Sequence, residues 1–223
     1  MTKGVIDMII QTKDIGIEIS GKTIFSDISF VINPREMIAI TGPSGSGKTT
    51  LLNCLGLIQS VNSGEIIIEN QNASKWKEKE KTSFWKEKAA FIYQDYGIIE
   101  DENVSYNVTL NKRQAKTKVI DEILHTVGLG GRGQDMAAVL SGGEKQRLGV
   151  ARAIYKKATI IFADEPTASL DKSNREIIIN LLKACSQNGA SVIIATHDER
   201  LVNVCDRSIN LLEFDQLREN GKL

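Results

Sequence analysis

Short apolar segments rich in β-branched residues recur along the chain, and stretches with helical periodicity separate them. Because several of these segments show no alternation of polar and apolar residues, they predict strands that are covered on both faces. The predicted strands are Met37–Ile40, Glu65–Ile68, Ala90–Tyr93, Thr159–Ala163 and Ser191–Ala195. Residues 15–19 and 208–214, near the two ends, are more amphipathic and predict further strands.

Helical periodicity fills the intervals between the strands. Ser173 is predicted to cap a helix that carries Leu181 and Leu182 on its apolar face and ends at Gly189. Residues 116–127 predict another helix with one apolar face. This alternation of strands and helices predicts an α/β fold with a mainly parallel sheet.

The composition is typical of a globular chain. The 223 residues are 41% hydrophobic and 25% charged, which disfavours disorder and fits one large domain or two small ones. No apolar run approaches the ~18–20 residues of a membrane helix, and the first residues have no secretory pattern. We therefore expect a cytoplasmic chain that reaches a membrane only through a partner.

Charge and cysteine content weigh against two classes of site. Lys and Arg number 28, as do Asp and Glu, and this balance disfavours a nucleic-acid partner. Cys54, Cys185 and Cys205 are far apart and form no CxxC or Cys/His pattern, which excludes a structural zinc site. They are expected to be reduced, largely buried thiols.

A glycine-rich segment between a predicted strand and a predicted helix fits the phosphate-binding pattern G-x-x-x-x-G-K-[ST]. Its glycines let backbone N–H groups turn toward phosphate oxygens, and the following helix adds its N-terminal dipole. Lys48 can reach the β- and γ-phosphates, and the Thr49 hydroxyl can ligate Mg²⁺. The candidate binding residues are Gly42, Pro43, Ser44, Gly45, Ser46, Gly47, Lys48, Thr49 and Thr50.

Two acidic residues follow the predicted strand 159–163. In enzymes with such a phosphate loop, an acid at this place holds Mg²⁺, a role that suits Asp164. Glu165 would then lie toward the γ-phosphate and could polarise the attacking water. An acid pair after a strand can also be a helix cap, but the upstream phosphate loop favours the catalytic interpretation.

A second candidate anion site lies at residues 140–147. Here Ser141 and the glycines Gly142 and Gly143 precede a helical pattern. Two such loops need not face each other within one subunit. A symmetric head-to-tail dimer could place one on each side of a shared nucleotide.

In their order, these segments resemble the motif set of ATP-binding cassette (ABC) ATPases over almost the whole chain. The phosphate loop is similar to their Walker A motif, and 160–165 to Walker B. Residues 140–146 resemble the signature motif, which other phosphate-loop families lack. Gln94, residues 169–171 and His197 match the Q-loop, D-loop and H-switch.

The resemblance implies a P-loop NTPase fold of the ABC ATPase type, with a RecA-like core, a mixed sheet and a helical subdomain. One nucleotide-binding domain is then expected over 1–223. Its core would cover about 1–94 and 160–223, and its helical subdomain about 95–159.

The resemblance also implies an ATP-hydrolysing homodimer that encloses two ATP molecules with Mg²⁺. Each ATP would lie between the loop of Lys48 in one subunit and Ser141, Gly142 and Gly143 of the other. Glu165 would be the general base, and Asp164 would bind Mg²⁺. Gln94 would contact Mg²⁺ and the attacking water, and His197 would contact the γ-phosphate. Asp171 would link the two sites across the dimer.

Two positions depart from the family pattern. Ile19 stands where a Tyr or Phe usually stacks on adenine, which predicts weak selectivity for the base. Arg35 stands where glycine is frequent, and it would pay a conformational cost if the turn requires a positive φ.

Within the family, residues 64–66 and 91–107 resemble the LolD, MacB and FtsE subgroup and related bacteriocin and antimicrobial-peptide exporters. The implied partner is a permease with a large extracellular domain, which would hold this chain at the inner face of the membrane near residues 95–107. The predicted function is to power export of a peptide, an antimicrobial or a lipoprotein. An FtsE-like mechanical regulator of cell-wall enzymes and a soluble ATPase of iron–sulfur assembly remain alternatives.

Overall fold

The computed structural model describes residues 8–111 and 118–214. The strands are β1 Ile10–Ile19, β2 Lys22–Ile32, β3 Met37–Thr41, β4 Ser63–Ile68, β5 Gln71–Asn72, β6 Ala89–Ile92, β7 Ile160–Asp164, β8 Ser191–Ala195 and β9 Arg207–Asn210. The α-helices are α1 Lys48–Leu55, α2 Glu78–Glu87, α3 Val104–Thr109, α4 Lys118–Thr126, α5 Gly142–Lys156, α6 Lys172–Gln187 and α7 Glu199–Val202, and residues 211–214 are also helical.

Five strands form a parallel sheet in the order β6-β7-β8-β3-β9. Neighbouring residues of one strand face different buried clusters: Phe162 packs with one, and Ile161 with the other. Both faces are therefore covered, which explains why these strands lack polar alternation. The carboxyl ends of parallel strands meet at one edge, so the segments after β3, β6, β7 and β8 converge there.

A second, antiparallel sheet has the order β2-β1-β4-β5. The predicted strand Glu65–Ile68 belongs to this sheet, where Ile66 and Ile68 are buried and the residues beside them are less so. The expectation of one mainly parallel sheet is corrected accordingly, while the α/β class and the mixed-sheet fold are confirmed. Helix α1 and the inner faces of both sheets share one buried cluster.

The opposite face of the parallel sheet carries α5 and α6, with α3 and α4 packed in the same buried cluster. Helix α5 contacts α3, α4, α6 and β6. Helices α3, α4 and α5 lie within residues 95–159, and the division into a core and a helical subdomain remains a prediction. An ion pair between Lys145 of α5 and Glu100 connects the segment after β6 with the amino-terminal end of α5.

The structure corrects the predicted cap of one helix and the predicted end of one strand. Helix α6 is capped by Asp171 and not by Ser173, because the Asp171 carboxylate accepts a hydrogen bond from the Asn174 N–H at 2.8 Å. The predicted strand 208–214 ends at Asn210, whose side chain accepts from the N–H of Leu212 at 3.1 Å and turns the chain. For the predicted helix 116–127, residues 116–117 lie outside the described residues.

Arg35 adopts the left-handed backbone that its turn requires, with φ of 64°. Its N–H donates to the Ser191 hydroxyl at 2.9 Å, and its carbonyl accepts from the Ser186 hydroxyl at 3.0 Å. These contacts hold a conformation that costs a non-glycine residue about 1–2 kcal/mol.

The three cysteines are free thiols, and burial raises the pKa of Cys54 to about 12 and that of Cys185 to about 11. Among the helices of the described ranges, none is both long and apolar enough to cross a bilayer. In the same ranges, His, Cys, Asp and Glu form no group of three or more that could hold a metal ion.

Candidate functional site

The phosphate loop connects the carboxyl end of β3 with α1, and the predicted binding residues 42–50 all lie in it or in the first turn of that helix. Gly45 and Gly47 have φ of 80° and 93°, in the left-handed region that favours glycine. A Cβ at Gly47 would also lie 2.8 Å from the Cγ2 of Ile24. Helix α1 has no side-chain cap, so its first N–H groups remain available to an anion.

Lys48 is buried in this loop, and its ammonium is hydrogen-bonded to the loop itself. The Nζ donates to the carbonyls of Gly42 at 2.9 Å and Pro43 at 3.0 Å. The loop thus holds a positive charge beside the open N–H groups of α1, an arrangement that attracts phosphate.

Thr49 and Asp164 bring a hydroxyl and a carboxylate together between α1 and the end of β7. The Thr49 Oγ1 donates to Asp164 Oδ1 at 3.0 Å. Burial raises the pKa of Asp164, and the hydrogen bond from Thr49 opposes that shift. Hydroxyl and carboxylate oxygens are ligands that suit Mg²⁺, which takes few protein ligands and keeps water or phosphate oxygens. The pair therefore fits the predicted metal role.

Glu165 follows Asp164 and is held by the end of β8. Its backbone has φ of 43°, and its N–H donates to the carbonyl of Ala195 at 2.8 Å. Its Oε2 accepts from the Thr196 hydroxyl at 3.1 Å, and its Oε1 lies 2.7 Å from Nδ1 of His197. Both carboxylate oxygens are thus fixed, and the left-handed backbone of a non-glycine residue is a strain found at functional sites.

Glu165 and His197 differ sharply in how much of their side chains is exposed to solvent. The Glu165 side chain is 13% exposed, whereas that of His197 is 73% exposed. A cleft of about 430 Å³ opens beside them, lined also by Ser169, Arg175 and Arg200. The imidazole can therefore meet a ligand that arrives from solvent, while the carboxylate stays oriented beneath it.

Gln94 lies beyond the end of β6 and is exposed. Ile92 in β6 pairs with Ala163 in β7, so Gln94 lies at the same sheet edge as the acidic residues. Within the described ranges, no hydrogen bond links Gln94 to Asp164 or Glu165. The structure brings the three to one edge without direct contact.

Ser141 caps the amino-terminal end of α5 through a reciprocal pair of hydrogen bonds. Its hydroxyl accepts from the Glu144 N–H at 3.4 Å, and Glu144 Oε2 accepts from the Ser141 N–H at 2.8 Å. The latter hydrogen bond is the main cause that lowers the pKa of Glu144. A Cβ at Gly142 would lie 2.5 Å from the Tyr96 hydroxyl, so a larger residue would displace that side chain.

The signature residues make no hydrogen bond to the phosphate loop of their own subunit, as far as the described part of the chain shows for residues 141–143 and 42–49. Asp171 lies at the cap of α6, where its Oδ1 accepts from the Ser173 hydroxyl at 2.7 Å. The predicted contacts of 141–143 and Asp171 with nucleotide across a dimer remain predictions.

The sequence reasoning missed Thr196 and a hydrogen-bond network around Asn107, in the segment that follows Gln94. Asn107 is fully buried, and its amide donates to the carbonyl of Ile99 at 2.8 Å and accepts from the Ile99 N–H at 2.9 Å. Arg152 of α5 donates to both oxygens of Asn107, at 2.6 and 2.7 Å, and to the carbonyl of Gly97. Only the position of Thr196 beside His197 offered a sequence signal.

The departure at the expected adenine contact is visible in the structure. Ile19, at the end of β1, is 39% exposed and presents an aliphatic surface. Phe25 in β2 is 4% exposed and packs in the core. Phe25 therefore does not replace the missing aromatic residue.

Comparison with known proteins identifies similar sequences. The family model described as ABC transporter matches residues 25–168. The lipoprotein-releasing system ATP-binding protein LolD of Bacteroides fragilis is 35% identical over 198 residues, covering 85% of this chain and 91% of LolD. The macrolide export ATP-binding/permease protein MacB of Escherichia coli is 32% identical over 206 residues, which cover 90% of this chain and 32% of MacB.

Solved structures give the same result for the fold. A dimeric ATP-binding cassette in a post-hydrolysis state, bound to ADP and Pi, has a TM-score of 0.79 at 28% identity. A dimeric structure of the same bacterial ABC transporter cassette has a TM-score of 0.81, also at 28% identity. Each comparison covers 90% of this chain and 93% of the other.

Proposed function

Since the chain belongs to the ABC transporter family and is an ATP-binding ATPase, we propose that it powers a membrane exporter similar to those of LolD and MacB. The observation that supports the hydrolytic part of this proposal is the fixed carboxylate of Glu165, which follows the Asp164 carboxylate bonded to Thr49. ATP hydrolysis needs a base near the phosphate loop, and Glu165 suits that role. The similarity to LolD and MacB supports the export part.

Binding begins at the phosphate loop. Lys48 and the N–H groups of α1 would hold the phosphates of ATP, and Thr49 with Asp164 would hold Mg²⁺. The metal, when bound, offsets the negative charge of the phosphates. Ser141, Gly142 and Gly143 of a second, head-to-tail subunit then cover the same phosphates with the amino-terminal end of their helix.

Glu165 acts as the general base of hydrolysis. Its carboxylate orients a water molecule toward the γ-phosphate. It accepts a proton from that water as the water oxygen bonds to the γ-phosphorus and ADP leaves. Thr196 and His197 keep both carboxylate oxygens in place, so little reorganisation is needed when the reaction begins. His197 would contact the γ-phosphate with its exposed imidazole, and Gln94 would help to hold Mg²⁺ and orient the attacking water.

Coupling to the membrane follows from the difference between open and closed dimers. ATP stabilises the closed dimer, and hydrolysis with product release reopens it. A permease with a large extracellular domain sits on residues 95–107 at the inner face of the membrane and follows this motion. The cargo is a peptide, an antimicrobial or a lipoprotein, and the permease selects it.

The test is recovery of the partner. Tagged Glu165→Gln protein is recovered from native membranes with ATP and Mg²⁺, and the proteins that accompany it are identified by mass spectrometry. Lys48→Ala treated in the same way is the control, because it weakens ATP binding. A permease with a large extracellular domain, enriched only with Glu165→Gln, supports the proposal. Exclusively soluble partners from intact membranes overturn it.

A further inference from the structure

Asn174, in the first turn of α6, contacts two elements that are far apart in the sequence. Its side-chain Nδ2 donates to Asp171 Oδ2 at 2.7 Å. Its Oδ1 accepts a hydrogen bond from the Arg147 guanidinium of α5. A Cβ at Gly143 would overlap the Asn174 amide, so this amide packs directly on the signature motif.

The orientation of the Asn174 amide is fixed by charge at both ends. Its donor faces the carboxylate of Asp171, and its acceptor faces the guanidinium of Arg147. Arg147 is 9% exposed, and a guanidinium that is buried needs acceptors. A single amide supplies both the donor and the acceptor, which neither a carboxylate nor an aliphatic side chain can do.

We propose that Asn174 is a positioning residue that joins Asp171 and the signature glycines of one subunit into a single preformed surface. The inference rests on the proposed head-to-tail dimer, in which both elements act on ATP bound by the other subunit. The Asn174 amide sets the spacing between Asp171 and the signature glycines before ATP binds. When the dimer closes, the nucleotide of the partner subunit therefore contacts both of them together. Fixing groups in advance lowers the entropic cost of closure.

A purely local role as a helix cap makes a different prediction. The backbone N–H of residue 174 caps α6 on Asp171 with any side chain at that position. Ser173 also donates to Asp171, at 2.7 Å, and no hydrogen bond of the described residues connects it to α5. Ser173→Ala is therefore the matched control, since it removes one hydrogen bond to Asp171 and leaves the link to α5.

The experiment uses the full chain in a Glu165→Gln background, which should retain ATP. Equilibrium ATP binding to the monomer and ATP-driven dimerisation are measured for the parent, Asn174→Ala and Ser173→Ala. We expect Asn174→Ala to weaken dimerisation about tenfold while ATP affinity of the monomer changes less than about twofold. Ser173→Ala should stay close to the parent in both measurements.

Amide hydrogen exchange on the ATP-free chain tests the link without the dimer. Asn174→Ala should speed exchange at residues 142–147, and Ser173→Ala should not. If exchange and dimerisation respond equally to both substitutions, or to neither, the coupling is overturned while the proposed function stands. If the parent itself does not dimerise with ATP, the proposed head-to-tail function falls, and the coupling falls with it.

Discussion

The Nδ1 of His197 lies 2.7 Å from Oε1 of Glu165 and connects the segments that follow β8 and β7. Thr196 holds the other carboxylate oxygen at 3.1 Å. Two consecutive residues after one strand therefore orient the proposed base after the neighbouring strand. The parallel register, with Asp164 beside Ala195, makes this contact possible.

His197→Ala should lower the turnover number for ATP hydrolysis by about 100-fold, since an oriented general base contributes on that scale. ATP affinity should change little, because the phosphate loop is untouched. Thr196→Val should have the smaller effect, since the imidazole contact remains. Steady-state phosphate release and equilibrium nucleotide binding measure both quantities. A change confined to the KM would contradict this role of His197.

Asn107→Leu should destabilise the fold by about 2–3 kcal/mol, because it removes a fully buried amide and leaves the N–H and carbonyl of Ile99 without their partners. Arg152 also loses an acceptor in this variant. Urea denaturation of the nucleotide-free chain gives the free energy of unfolding. Lys118→Ala is the control, because its ion pair with Glu122 spans 3.9 Å at the surface, and its effect should stay within about 0.5 kcal/mol.

Glu144→Gln should lower the melting temperature at neutral pH. Hydrogen bonding to Ser141 lowers the pKa of Glu144 from its ordinary 4.5, so the carboxylate stabilises the fold above that pH. This stabilisation is lost as pH falls through the lowered pKa. The difference between variant and parent should therefore shrink below about pH 4.5. Calorimetry at several pH values measures the melting temperatures of the variant and the parent, and Glu122→Gln is the exposed control. If the difference in melting temperature does not depend on pH, the Glu144 carboxylate does not stabilise the fold through its charge.

Ile19→Tyr should tighten ATP binding about twofold to tenfold, since aromatic stacking contributes roughly 0.5–1.5 kcal/mol. The same substitution should alter the ratio of ATP to GTP affinity, because an aliphatic side chain such as Ile19 discriminates weakly between the two bases. Equilibrium titration with both nucleotides measures this. Unchanged affinities for both would show that residue 19 does not contact the base.

Local patterns predicted the phosphate loop and the strands around it, because glycine spacing and uninterrupted apolar runs report directly on backbone and burial. The strand 191–195 was predicted at both ends. Boundaries set by a single side-chain hydrogen bond were not predictable in the same way. The caps at Asp171 and Asn210 depend on which of several polar residues reaches a backbone N–H.

Contacts between distant segments lay beyond sequence reasoning. Nothing in the sequence indicates that Arg152 binds Asn107 or that Asn174 packs on Gly143. Such pairs depend on how α5 crosses α3 and α6, which periodicity does not specify. Likewise, the residues Glu65–Ile68 are apolar enough for a strand of either sheet. Only their antiparallel pairing with β1 assigns them to the second sheet.

The two carbonyl groups that hold Lys48 fix the direction of its side chain. An ammonium has three N–H donors, and the carbonyls of Gly42 and Pro43 accept from it at 2.9 and 3.0 Å. A donor and the positive charge remain for a phosphate oxygen, which binds a cation more strongly than a neutral carbonyl does. A lysine side chain otherwise loses much rotational freedom when a ligand orders it. The loop has already restricted that freedom, so a phosphate that binds here meets a lysine that was ordered during folding.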